Sequence, residues 1–411
     1  MTIHSNSPTI LQKFCMTVVL HLLSKISIGQ ITLVLPDGRA KHFGDRSSPW
    51  SAEIKISDYR FFSDFILKGD VGLGESFMAG VWDTTDITLL FRVFIKNRRL
   101  LRDGNPAAAW LLRQKNRLLQ FAHKNTMIGS RKNIRYHYDL NNEFFQKFLD
   151  PSMVYSCGIY HSEYDSCADA QKNKIISIIN KARLKATDHV LEIGCGWCGF
   201  AMEAVRQTRC RITGITVSEA QRQFAVDRVK QEGLENNIDI LLKDYREISG
   251  IYDKIVSIEM LEAVGHLYFG TFFQVCDRLL KPGGLLVIQV ITIIDQHYDE
   301  YRREADWIQK HIFPGGLLPS VTVLCKAATK YSSFVMENLE DIGLHYAVTL
   351  RDWREKYLRD IDSVSAMGFD RSFLRKWEYY LAICEAGFAE RALGDIQVVF
   401  RKPEGSVSLS S

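Results

Sequence analysis

From residue 188 onward, short apolar runs alternate with stretches of helical periodicity, and this constrains the fold more than any other feature. Val190, Leu191 and Ile193 form one run. Gly194, Gly196 and Gly199 follow it, and Ala201, Met202, Ala204 and Val205 then recur at helical spacing. A run that is apolar on both faces is what a strand inside a parallel sheet shows. Further strands are expected at 211–217, 238–242, 253–258 and 285–293, with helices at 198–207, 219–232 and 268–280. Ser218 can cap the second helix, with Gln221 three residues later completing a capping box. Lys281-Pro-Gly-Gly284 breaks the chain before the fifth strand, and Asp395-Ile-Gln-Val-Val-Phe400 gives a last one. Such alternation implies an α/β fold, with a mostly parallel sheet and helices on both faces.

Ligands of such sheets sit outside the carboxyl ends of the strands. That gathers Glu192 to Gly196, Thr216 to Ser218, Asp244 and Glu259 to Glu262 around one crevice. The glycine turn after the first strand offers backbone N–H groups and a helix N-terminus to a ligand. Its glycines fit the dinucleotide pattern, but that pattern expects an acid about twenty residues on, at the end of the second strand. Here the second strand ends in Thr216 and Val217. An acid just before the glycines, as in Glu192, is the habit of S-adenosylmethionine (SAM) methyltransferases. A carboxylate there could accept hydrogen bonds from a ligand amine or hydroxyl. A plain strand-to-helix turn remains the bland alternative. Cys195 and Cys198 make a CxxC, yet the pair straddles the glycine loop and lacks the thioredoxin-like context that redox chemistry needs.

The 411 residues suffice for two domains, and 46% hydrophobic with 24% charged residues is a globular balance. No apolar run reaches the length of a membrane span, and no signal-peptide pattern is read at the N-terminus. Nine cysteines without framework spacing fit a reducing cytosol. Between Arg92 and Arg135 stand twelve Lys or Arg against the single acid Asp103. Such a block attracts phosphates, from nucleic acid or from an anionic membrane surface, unless it is only a solvated helical face. No target-base motif of a nucleic-acid methyltransferase accompanies it.

Residues 8–26 carry an apolar stripe of Leu11, Phe14, Cys15, Val18, Val19, Leu22, Leu23 and Ile26. The stripe predicts an amphipathic helix that packs on its domain or lies in a membrane interface. Antiparallel strands are expected within 28–58, around the Pro36-Asp-Gly38 turn, and helices over 59–102. The organisation reads as an N-terminal α+β domain over 1–105, with a possible membrane or dimer role. A basic linker follows over 106–135, then a catalytic domain over 136–402 and a flexible tail over 403–411.

Several motifs in one order carry a resemblance. They are Tyr136-His-Tyr-Asp-Leu-Asn-Asn-Glu-Phe-Phe, Phe148-Leu-Asp-Pro-Ser-Met-Val-Tyr-Ser-Cys157, Gly-Ile-Thr216-Val-Ser-Glu-Ala-Gln221, Glu259-Met-Leu-Glu262-Ala-Val-Gly and Phe313-Pro-Gly-Gly-Leu-Leu-Pro-Ser320. Together they resemble the cyclopropane-fatty-acyl-phospholipid synthase family, over nearly the whole chain. The stretch 60–100 is similar to that family's N-terminal domain. The resemblance implies a Rossmann-like SAM-methyltransferase fold with a seven-stranded sheet. It also implies transfer of a methylene from SAM to the cis double bond of a phospholipid acyl chain. It implies a cytoplasmic protein at the membrane periphery, with a homodimer possible, and no nucleic-acid partner.

Residue by residue, the resemblance puts Tyr155 and Ser156 over SAM and Gly194, Cys195 and Gly196 in its loop. It puts Thr216 and Gln221 near its ribose and methionine part, and Asp244 and Tyr245 beside its adenine. Cys157, Glu262 and Tyr346 match residues around a bound bicarbonate that the family uses as its base. The family commonly has His in that shell where this chain has Gln289, which can hold an anion but cannot carry a proton away. That departure leaves C-methylation without ring closure, giving methyl-branched or methylene-bearing chains, as an alternative product. A lipid-binding protein that kept the fold without catalysis is a further alternative. Cys198 stands where the family has Gly, and Asn141 replaces a more usual Gly.

Overall fold

The computed structural model describes residues 7–98 and 142–405. Thr9 begins the first helix, Ile10–Leu23: its hydroxyl accepts from the Gln12 N–H, and its own N–H donates to the Gln12 side chain at 2.8 Å. Cys15, Val19, Leu23 and Ile26 of the expected stripe are buried, while Leu11 and Phe14 stay exposed. The helix packs on its domain along one row of the stripe only.

Strands β1 (Gln30–Val34), β2 (Ala40–Gly44), β3 (Ser51–Ile56) and β4 (Trp82–Asp83) make a four-stranded sheet in the order β2-β1-β3-β4. The Pro36-Asp-Gly38 turn joins β1 to β2, with Gly38 at φ 83°. β3 then runs parallel to β1, which corrects the expected antiparallel pairing of those two runs. An extra strand between the two sequence signals reversed the direction.

This sheet and the helices Arg60–Met78 and Ile87–Lys96 fold as one compact unit with Arg303–Ile312 and Trp353–Ala392. The last two segments had been assigned by sequence to the catalytic domain. Their attachment is concrete: Arg375 donates to the carbonyls of Phe77 at 2.6 Å and Trp82 at 2.9 Å, and Thr88 donates to Glu385 at 3.1 Å. Arg92 and Lys96, the first two cations of the basic block, pair with Glu390 at 2.7 and 2.6 Å and cover the Trp50 ring. The expected linker over 106–135 lies outside the described residues, as do Tyr136 to Asn141 and the tail beyond 405.

The second unit holds β5 (His189–Ile193), β6 (Arg211–Thr216), β7 (Ile238–Leu242), β8 (Tyr252–Ile258), β9 (Leu280–Ile293), β10 (Val335–Asp341) and β11 (Leu393–Arg401). They form one sheet in the order β10-β11-β9-β8-β5-β6-β7. Only β11 runs against the others. The strand order reverses beside β5, which makes the carboxyl end of β5 the switch point where ligands of such sheets bind. Alternate residues feed two cores. Leu191, Ile193, Leu286 and Ile288 pack with the helix Phe269–Leu279, and Val190, Val256 and Val287 pack with the helices Cys167–Ala182 and Gly199–Thr208. β9 starts five residues earlier than expected, because the Pro-Gly-Gly segment is absorbed as a register shift against β8. β10 has no sequence signature: every one of its residues is exposed.

Candidate active site

At the end of β5 the chain turns through Gly194 (φ 84°) and Gly196 (φ 52°) into the helix Gly199–Thr208. The N–H groups of Gly194 and Cys195 both donate to the Ile215 carbonyl, which ties the loop to β6. Cys198 occupies the left-handed region at φ 71°, so the position expected to carry glycine is one where glycine is the relaxed choice. Cys195 and Cys198 are both free and buried, and burial pushes both thiols well above their usual range. Thiolate chemistry is therefore disfavoured at the CxxC.

The positions assigned to SAM gather around this loop. A Cβ on Gly196 would meet only the Gln221 amide, 4.0 Å away. Thr216 donates to Gln221 at 3.0 Å, and Ser218 caps the next helix through the Gln221 N–H. The phenolic oxygen of Tyr245 is buried without a partner among the described residues. Asp244 is turned to its neighbour instead: both its oxygens take the Arg246 guanidinium, at 2.7 and 2.6 Å. Tyr155 packs against Phe145 and Phe148, and Ser156 accepts from the buried Lys174 ammonium at 2.6 Å. Glu192 is fully buried, one of its carboxylate oxygens has no partner among the described residues, and burial pushes its carboxyl up to about 8. An open cradle over Gly196, an unpaired phenol and an unpaired carboxyl oxygen suit a polar ligand such as SAM.

The other assigned residues meet at the ends of β8 and β9, around a residue to which the sequence gave no role. Glu259 Oε1 accepts from the Cys157 backbone N–H at 2.8 Å and the Gln289 side-chain amide at 2.9 Å. Its Oε2 accepts from the Tyr346 hydroxyl at 2.7 Å. Three of the four expected residues thus converge on Glu259. The fourth, Glu262, lies one turn on: its Oε1 accepts from the Ile291 N–H at 2.5 Å, and its Oε2 is buried without a partner among the described residues. Burial, then the charge of Glu259, pushes the Glu262 carboxyl up to about 8. The Cys157 thiol donates to the carbonyls of Gly158 and Ile342; burial pushes it up, and it lies close enough to Asp395 and Glu259 for their charges to raise it further.

Behind Gln289 stand two more residues that sequence reading left unassigned. Its amide also donates to Asp395 at 3.0 Å, and its carbonyl oxygen accepts from Gln397 at 3.0 Å. Burial, then the charges of Glu259 and Glu262, pushes Asp395 well above the carboxylate range. Lys174, buried in the helix Cys167–Ala182, lies near enough to Glu192, Glu259 and Asp395 to oppose that rise in each. Two signals were present. Lys174 shares the i, i+4, i+8 row of Ala170 and Ile178, and Asp395 and Gln397 interrupt an apolar strand.

The sequence profile of the family described as mycolic acid cyclopropane synthetase matches residues 125–398. The chain belongs to that family. Among its relatives, the tuberculostearic acid methyltransferase of Mycobacterium tuberculosis is 35% identical over 337 residues, 78% of this chain and 76% of that protein. The cyclopropane-fatty-acyl-phospholipid synthase of Escherichia coli K12 is 34% identical over 359 residues, 85% and 88% of the two chains. The crystal structure of the mycolic acid cyclopropane synthase CmaA1 complexed with S-adenosylhomocysteine and CTAB superposes with a TM-score of 0.62 at 27% identity. It covers 66% of this chain and 98% of that one. The protein is a SAM-dependent methyltransferase of this lipid-modifying family, with the α/β fold and seven-stranded sheet that its sequence predicts.

The bicarbonate that the resemblance implies does not fit this chain. The Cys157 N–H, the Gln289 amide and the Tyr346 hydroxyl already hold the Glu259 carboxylate.

Proposed function

We infer that the protein transfers a methylene from SAM to the cis double bond of unsaturated phospholipid acyl chains, leaving a cyclopropane ring. The observation that carries this reading is the buried carboxyl cluster of Glu259, Glu262 and Asp395 next to the glycine loop. A double bond is a poor nucleophile, so a methyl donor must be held close and in line with it. Transfer leaves positive charge on the acyl chain. A dry site with a fixed negative charge stabilises that cation and offers a proton acceptor. Gly194, Gly196, Thr216, Gln221 and Tyr245 support SAM binding, with Glu192 at the base of the loop. Tyr155 supports closure over it. The cations between Arg92 and Arg135 support work at an anionic lipid surface from the cytoplasmic side. Because Arg92 and Lys96 share the one Glu390 carboxylate, that attraction rests mainly on the others.

A second reading is C-methylation of the same chains without a ring. It is supported by Gln289 in place of a proton-carrying His, and by the tuberculostearic acid methyltransferase among the relatives. The protein, SAM and vesicles of unsaturated phospholipid are incubated, and the fatty acids are analysed by gas chromatography–mass spectrometry. A gain of one CH₂ with loss of the olefin, in a product that resists mild hydrogenation, is expected. A product that is still an olefin, and that hydrogenates to a methyl branch, establishes the second reading instead. SAM binding without any lipid product would sink both.

A further inference from the structure

We propose that Glu259 is the base of this reaction, its own carboxylate standing where a separate bicarbonate would otherwise be held. This rests on the reading above that a carbocation forms on the acyl chain.

Geometry carries the proposal. A carboxylate and a bicarbonate present the same planar pair of oxygens to donors. Glu259 fills that role with two donors on one oxygen and one on the other, all within 2.9 Å. The donors are the backbone of Cys157 and the side chains of Gln289 and Tyr346, the residues the family resemblance assigns to the anion. The Gln289 amide cannot be reversed without turning its oxygen toward both Glu259 and Asp395. Gln397, donating to that oxygen, holds the orientation.

The backbone is shaped to the same end. Glu259 has φ 46°, a conformation that L side chains rarely adopt, and its N–H is fixed on the Gln289 carbonyl at 2.8 Å. A bulky acid kept in a glycine-type conformation points to a functional constraint. The next residue, Met260, lies against the glycine loop so closely that a Cβ on Gly194 would stand 2.7 Å from its Cγ. The carboxylate is thus one residue from the loop that the methyl donor faces. Burial raises the Glu259 carboxyl, and the Cys157 N–H, the Tyr346 hydroxyl, Lys174 and the Gln289 amide oppose that rise, while Asp395 beside it is pushed well above the carboxylate range.

The electron count closes without a further reagent. The π pair of the double bond forms a bond to the methyl carbon as the sulfur–methyl bond breaks, and the other alkene carbon becomes the cation. A proton then leaves the new methyl for the Glu259 carboxylate. The C–H pair left behind forms the second ring bond. Glu259 ends as a carboxylic acid and returns its proton to water. A saturated methyl branch would instead need a hydride from a reductant, and it is no part of this proposal.

The test combines turnover with a binding readout. Wild type, Glu259→Gln and Glu259→Gly are assayed with SAM and unsaturated phospholipid vesicles, in carbon-dioxide-free buffer and with added bicarbonate. Binding of ¹³C-bicarbonate is followed by NMR, and SAM binding by calorimetry verifies folding. Wild type is expected to turn over equally in both buffers and to bind no bicarbonate. Glu259→Gln is expected to lose about a hundredfold or more in kcat, unrescued by bicarbonate, while still binding SAM. Glu259→Gly, relieved of its backbone strain, is expected to bind bicarbonate and regain part of the rate with it. A wild type that needs or binds bicarbonate, or a Glu259→Gln that keeps its rate, overturns the proposal. A wild type that shows the expected bicarbonate pattern in binding but modifies no acyl chain overturns the lipid reading, and with it a base for that reaction.

Discussion

The glycine loop after β5 and the carboxyl cluster after β8 lie side by side, yet they are built on opposite principles. The loop is made of backbone. Its working parts are two positive-φ glycines and the N–H groups they orient, all within a few residues of sequence. The cluster is made of side chains. Cys157, Glu259, Gln289, Tyr346 and Asp395 come from five segments, and the hydrogen bonds joining them span up to 106 residues. A backbone site tolerates variation in what its side chains are, as Cys198 shows. A side-chain site depends on each group, because every buried polar atom there is either paired or costly.

The contrast has consequences of graded size. Beyond Glu259→Gln, the largest effect on the fold is expected from Lys174→Met. Removing this buried cation beside the Glu192, Glu259 and Asp395 carboxyls should destabilise the unit by about 3–5 kcal/mol. Urea unfolding measures it, and a loss below 1 kcal/mol would mean that the cluster does not rely on the ammonium. Gly194→Ala comes next. A Cβ there must occupy a φ of 84° and displace Met260. SAM affinity should fall about tenfold, since the left-handed conformation alone costs about 1–2 kcal/mol. If kcat at saturating SAM fell as far as in Glu259→Gln, the two regions would not be separable.

The pH dependence of stability tests the cluster's charge. Glu192 is raised to about 8 chiefly by burial, and Lys174 and the Cys195 and Cys198 thiols face it. A carboxyl with a raised folded pKa contributes stability that is full below the ordinary value near 4.5 and is lost as pH climbs toward 8. Melting temperature should therefore fall between pH 5 and about 8 in wild type, and Glu192→Gln should flatten part of that slope. An unchanged slope would show that Glu192 is ionised in the fold. The smallest effect belongs to Cys198. Cys198→Gly trades a lost buried thiol for relief at φ 71°, so its net change should stay within about 1 kcal/mol. Cys198→Ala keeps the strain and should be the less stable of the two by about 1 kcal/mol, read by thermal melts. The reverse order would remove the conformational account of this position.

Much of the second unit was legible because most of its strands are central. β5, β6, β8 and β9 are largely apolar on both faces, the edge strand β7 keeps buried Ile238 and Ile240 around an exposed Asp239, and their ends fall within a few residues of the expected ones, apart from the early start of β9. β10 was invisible for the opposite reason: an exposed edge strand keeps neither an apolar run nor an alternation. The unit boundary was misplaced because Arg375, Glu385 and Glu390 join the N-terminal segment by contacts nearly 300 residues apart. In the site, Cys157, Gln289 and Tyr346 were reached through family motifs. Glu259 was in view within its motif, yet nothing local distinguished it from Glu262 three residues on.

The sequence by itself determined the alternating α/β architecture, the position of the glycine loop and the family. Each depends on periodicity or on short-range backbone chemistry, which a linear pattern records. Only the tertiary structure decided which acid the donors hold. That choice turns on a positive φ at Glu259, the direction of one Gln289 amide and the burial of Asp395 and Lys174. Charge placement in a buried site is a property of distances between segments, and those distances exist only once the sheet has formed.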